Sequence, residues 1–135
     1  MRDIKYRAWD GDRRRFVAVT GLRAPDGVVK AVLWYNFPTR EVETLRNFEL
    51  LEYTGLKDKN GREIYEGDII PISNETETRN AYVEFYDGAF VIAGPAADGS
   101  GEILRALLGE LVDEYKATEV IGNIYENPEL LERAA

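Results

Sequence analysis

The chain has 135 residues, 44% hydrophobic and 31% charged, with net charge −8. That is the size and composition of one ordinary folded domain, not of a disordered or membrane-spanning chain. With no cysteine and no histidine, it excludes disulfides, thiolate nucleophiles, zinc fingers and any triad with an imidazole base.

Acid–base chemistry would need a carboxylate, lysine or tyrosine shifted by burial or by neighbours. The N-terminus is polar and strand-like, without the apolar run of a signal peptide, and no stretch nears the ~18 apolar residues of a membrane helix. These features predict a cytoplasmic protein without membrane contact. Charge is uneven: residues 1–30 hold eight basic and four acidic side chains, so the rest carries the acidic excess. An acidic whole disfavours nonspecific binding along nucleic acid. The polarity suits head-to-tail contact between copies, and a homo-oligomer is expected.

Ile4, Tyr6 and Ala8 alternate with Lys5, Arg7 and Trp9, the period of a half-buried strand. Asp10-Gly11 predicts a reversal, 16–19 a second strand, and 28–37 a third after Asp26-Gly27. Strands are also expected at 48–53 and, after the Asn60-Gly61 turn, at 69–72, where Pro71 demands an edge or an early end. A hairpin of 82–86 and 89–92 turns on Asp87-Gly88. Over 102–115, Ile103, Leu104, Leu107, Leu108, Leu111, Val112 and Tyr115 recur at three- and four-residue spacing and predict an amphipathic helix. Residues 119–125 read as a strand. Asn127-Pro128-Glu129 opens a short last helix, with Asn as cap and Pro in the first turn.

The expected fold is mostly β, a β-rich α+β arrangement. It is an antiparallel meander plus a small SH3-like barrel, with one packed amphipathic helix and a short C-terminal helix. A single domain covers 1–135, divisible into a 1–50 meander and a 51–135 barrel-like part.

Two segments hold candidate binding residues. One is the central loop, where Asp58, Asn60, Arg62 and Glu66 would recognise a partner; turn chemistry explains the same residues and is preferred. Placing Gly61 sixth in a calcium loop puts Leu56 first and Gly67 twelfth, so the anchoring carboxylates are missing. The other is Arg13-Arg14-Arg15, whose guanidiniums match phosphate but which reads more simply as a solvated turn balanced by Asp10 and Asp12. Trp9, Trp34, Tyr35 and Phe37 would make a stacking platform for single strands, or fill a core. Glu66, Asp68 and Glu84 would be the acids of a metal-dependent enzyme, though no metal-ligand motif accompanies them. No catalytic residue, metal or cofactor is implied.

The run Tyr53-Thr54-Gly55-Leu56-Lys57-Asp58-Lys59-Asn60-Gly61, continuing at Ile64-Tyr65-Glu66-Gly67-Asp68-Ile69-Ile70, resembles the YopX family of phage and prophage proteins. The opening 1–10 and the stretch Val120-Ile121-Gly122-Asn123-Ile124-Tyr125-Glu126-Asn127-Pro128-Glu129-Leu130-Leu131 resemble that family as well. The resemblance implies a β-rich protein of phage origin acting inside a bacterium, and supplies no catalytic residue, cofactor or substrate. The leading expectation is therefore a non-enzymatic protein-interaction module that self-associates and contacts a host or phage protein. A nucleic-acid-binding barrel is the second reading and a carboxylate-based metal-dependent enzyme the third.

Overall fold

The structure, a computed structural model, describes residues 5–19, 21–26, 31–36, 41–73, 78–96, 100–110 and 118–132, with backbone alone at 31–36, 41–43 and 132. It is mostly β and antiparallel throughout the described residues. Two compact units are present, Ile4–Glu52 and a second from Tyr53 onward.

In the first unit, β1 (Tyr6–Asp10) pairs with β2 (Arg15–Ala18) and, on its other side, with β6 (Phe48–Lys57) as far as Glu52. A separate sheet joins β3 (Gly21–Arg23), β4 (Ala31–Asn36) and β5 (Glu41–Leu45). Ala8 and Val17 lie inside, where Leu45 of β5 and half-buried Phe48 and Leu50 join them; the alternation expected for β1 ends at Ala8, since Trp9 and Asp10 are buried too. The Asp10-Gly11 reversal occurs, but the left-handed residue is Arg14, at φ 54°. Gly11 serves a different need: a Cβ there would meet the Asn47 side chain at 2.8 Å.

The second unit carries the larger core. Its sheet has the order β11–β10–β9–β8–β12, from β8 (Asp68–Ser73), β9 (Thr78–Tyr86), β10 (Ala89–Pro95), β11 (Ile103–Leu107) and β12 (Gly122–Asn123). The second half of β6 pairs with β7 (Glu63–Tyr65), across a register shift between Tyr53 and Lys57. Thr54 holds that irregularity: its hydroxyl donates to Ile64 O at 2.7 Å and accepts from Leu56 N at 3.2 Å. One sheet face supplies Ile70, Ala81, Val83 and Ile92 to a core that Ile64, Leu108 and Val120 complete. Asp87 and Gly88 both take positive φ, 50° and 84°, so the β9–β10 hairpin closes on a two-residue turn.

Two expectations are corrected. Residues 103–107 are a strand, not the start of a helix; helical structure begins only at Leu108 and is described as far as Glu110. The open edge of β10 takes them up through the register Val91↔Leu107 to Pro95↔Ile103. Tertiary pairing overrides the helical period, which Gly109 weakens in any case. The expected strand 119–125 is reduced to Gly122–Asn123, because Asn123 turns the chain. Its Oδ1 accepts from Tyr125 N at 3.0 Å and Glu126 N at 2.8 Å. The last helix is the single turn Glu129–Glu132 after Pro128.

Candidate interaction surface

The central loop is built around Asp58. This side chain is only 7% exposed. Its Oδ1 accepts from Asn60 N and Arg62 N, each at 2.9 Å, and its Oδ2 accepts from Val120 N at 3.0 Å. Backbone bonds from Asp58 N to Arg62 O and from Lys59 N to Thr118 O fasten the same loop. Burial works against the Asp58 charge. The three backbone N–H groups and the nearby Arg62 charge outweigh it and hold the carboxyl below its ordinary value. Asp58 is thus committed to joining its loop to the 118–120 segment. Asn60 and Arg62 are exposed, and the Asn60 amide donates to Glu119 at 3.2 Å. Glu66 is half-buried in the turn between β7 and β8.

The three acids of the metal reading do not converge. Asp68 is fully buried, its Oδ2 accepting from Tyr65 N at 2.8 Å, while Glu84 pairs with Arg105 at 2.9 Å. Among the described residues, no three carboxylates gather at metal-binding spacing.

Arg13, Arg14 and Arg15 surround a buried acid. The Asp10 Oδ1 accepts from Asp12 N at 3.1 Å and Arg13 N at 3.2 Å. Its Oδ2 lies 3.5 Å from the Arg13 guanidinium and 4.0 Å from that of Arg15. Arg14 sits over the Trp9 ring at 5.6 Å. Trp9 itself is buried and packs edge-on against Phe16 at 5.0 Å, so it belongs to the core and not to a stacking platform. Trp34, Tyr35 and Phe37 lie outside the described side chains. Replacing Asp10 by Ala removes the acceptor for two turn N–H groups and should cost about 1–2 kcal/mol. Urea unfolding followed by Trp fluorescence measures it; an unchanged midpoint would show that the turn does not rely on this carboxylate.

The surface that stands apart is apolar. Phe85, Tyr86, Ile103, Leu104 and Leu107 are exposed, from 39% for Ile103 to 56% for Leu104. They lie on two strands of one sheet that β10 separates: Phe85 and Tyr86 at the hairpin end of β9, and Ile103, Leu104 and Leu107 along β11. Every residue of β11 is exposed, and among the described residues it is the terminal strand of its sheet. On one face Arg105 bonds Glu84 and lies 3.9 Å over the Tyr86 ring. Its hydrogen bond to Glu84 raises the Arg105 value. Burial, then the charge and hydrogen bond of Glu84, push the Tyr82 hydroxyl up against the opposing pull of Arg105. The other face carries a groove of about 210 Å³, floored by Ala81 and Gly94 and walled by Ile72, Leu104 and Ala106. Sequence reasoning missed this surface because a helical reading turned Ile103, Leu104 and Leu107 inward; read as a strand, they fall on both faces of an edge.

Among the described residues no helix is long and apolar enough to cross a membrane. A prophage-derived, uncharacterized protein YopX of Bacillus subtilis (strain 168) is 29% identical over 134 residues, 94% of this chain and 95% of that protein. Two crystal structures are similar. Protein EF1440 of Enterococcus faecalis has a TM-score of 0.66 at 26% identity, over 97% of this chain and 99% of that one. Protein yopX of Bacillus subtilis has a TM-score of 0.62 at 27% identity, over 100% of both chains. Residues 5–132 match the family described as YopX protein, and the chain therefore belongs to the YopX family.

Proposed function

We propose that this chain is a phage- or prophage-encoded accessory protein that acts in the bacterial cytoplasm as a non-enzymatic interaction module. Its contact surface is the apolar edge of the five-stranded sheet. The observation that carries this reading is the exposure of Ile103, Leu104 and Leu107 on a terminal strand. Natural sheets blunt such edges with charged side chains, proline or a bulge; β11 has one charge, Arg105, which is paired with Glu84, and among the described residues no strand pairs with its outer side. Exposed Tyr86 stacked on Arg105 adds the residue types that dominate binding energy at protein interfaces. The prophage origin of the Bacillus subtilis relative supports the phage context.

A photo-crosslinking residue at Leu107, produced in bacteria that carry the phage genome, should yield protein adducts. The same probe at Asp26, exposed and in the other compact unit, should yield none. Adduct-free β11, or equal labelling at both positions, would remove the reading.

A further inference from the structure

We propose that β11 pairs with β11 of a second copy, antiparallel about a two-fold axis through Arg105. This rests on the reading of the β11 edge as an interaction surface and names its occupant. The backbone sets the register. Ala96 N donates to Glu102 O at 2.8 Å, and Pro95, opposite Ile103, has no N–H to give. The groups aimed at β10 are therefore those of Glu102, Leu104 and Ala106. By the alternation of an antiparallel ladder, Ile103, Arg105 and Leu107 present their N–H and C=O to the open edge.

A two-fold contact must be self-complementary, and this strand is. Centring the pair on Arg105 sets Ile103 opposite the second copy's Leu107, and Leu104 opposite its Ala106. All three outward residues then fall in hydrogen-bonded pairs. Apolar meets apolar in every pair but the central one. The Leu104 side chain of one copy lies beside the Ala106 wall of the other's groove, on the face where small residues leave room. The two Arg105 side chains would stand opposite one another, but each is already bonded to its own Glu84 at 2.9 Å, which offsets their repulsion. The contact closes on itself and leaves no growing edge, unlike the head-to-tail contact that the charge polarity suits.

The full chain should sediment as a dimer. Because it has no cysteine, introduced thiols report the register directly. Arg105→Cys places two thiols across the axis, at the ~5.5 Å Cα separation of a hydrogen-bonded pair, which a disulfide spans. Ile103→Cys places them about four strand residues apart, ~13 Å, which it cannot span. Under mild oxidation Arg105→Cys should form covalent dimer about a hundredfold faster than Ile103→Cys, as expected when one partner is held at millimolar effective concentration. The double variant Ile103→Cys/Leu107→Cys keeps Arg105 and should give a doubly linked dimer, with far-UV circular dichroism confirming that each variant is folded. A monomeric chain whose Arg105→Cys links no faster than Ile103→Cys overturns the self-pairing. If Leu107 adducts to a different protein persist in that case, the interaction surface stands and only its occupant is wrong; if they too are absent, both readings fall.

Discussion

Asp58→Ala should destabilise the protein by about 3–4 kcal/mol. The side chain accepts three backbone N–H bonds, and these are charge-assisted, worth more than neutral ones. Two of the donors, on the exposed residues Asn60 and Arg62, can turn to water when the carboxylate is gone. The third, Val120 N, is buried and cannot, so it bears the full cost of an unmet donor, about 1–3 kcal/mol. Asp58→Asn should cost less, about 2 kcal/mol, because its carbonyl oxygen keeps some of the bonds while its amide faces a donor. The difference depends on pH. The folded carboxyl titrates below its ordinary value, so its contribution is complete above the unfolded value near ~3.9 and is lost as pH falls through the folded one. The gap between the native chain and Asp58→Asn, measured by urea unfolding with circular dichroism, should be widest at neutral pH and narrow in acid. A gap that stays constant from pH 7 into the acid limb would show that the Asp58 charge does not hold the loop.

This clasp illustrates what the sequence could reveal and what it could not. Turn chemistry around Asn60-Gly61 was legible because it is local: Gly61 takes φ 81°, and Asp58 bonds residues two and four positions on. The bond from Val120 N spans 62 positions, and no local rule connects them. The Asp87-Gly88 hairpin was legible because it too is local: its two-residue turn takes positive φ at both positions, and few residue types supply that. Residues 103–107 show the opposite limit. Ile103, Leu104, Leu107 and Leu108 satisfy a helix period, yet the first three fit a strand, and Leu108, where helical structure begins, is the one of the four that reaches the core. Only the presence of an open β10 edge decides between them, and that edge lies outside any sequence window. The exposed apolar surface was lost with that choice. Amphipathic readings assume that large apolar side chains turn inward, and the exposed apolar residues of β11 break the assumption.

The Gly67 position separates backbone strain from crowding. Gly67 has φ 85° and Gly61 has φ 81°, so an alanine at either meets the same left-handed penalty, about 1–2 kcal/mol. Their surroundings differ. A Cβ at Gly61 meets nothing within 4 Å, whereas one at Gly67 lies 3.1 Å from Tyr125 Cε2 and 3.5 Å from Ile124 Cγ1. Nor can the Gly67 backbone move aside. Its N–H donates to Val83 O and its carbonyl accepts from Ile124 N, both at 2.8 Å, and these bonds fasten the chain to both sides of the β8 entry. Gly67→Ala should therefore cost about 3–4 kcal/mol, the strain plus an overpacking penalty of about 1–3 kcal/mol, against about 1 kcal/mol for Gly61→Ala. Pairing Gly67→Ala with Tyr125→Ala isolates the second contribution. Removing the ring should cancel part of the glycine penalty, so the double variant should be more stable than the sum of the two single losses allows. Strict additivity in urea unfolding would place the whole effect in the backbone and remove Tyr125 from the account of why glycine stands between Glu66 and Asp68.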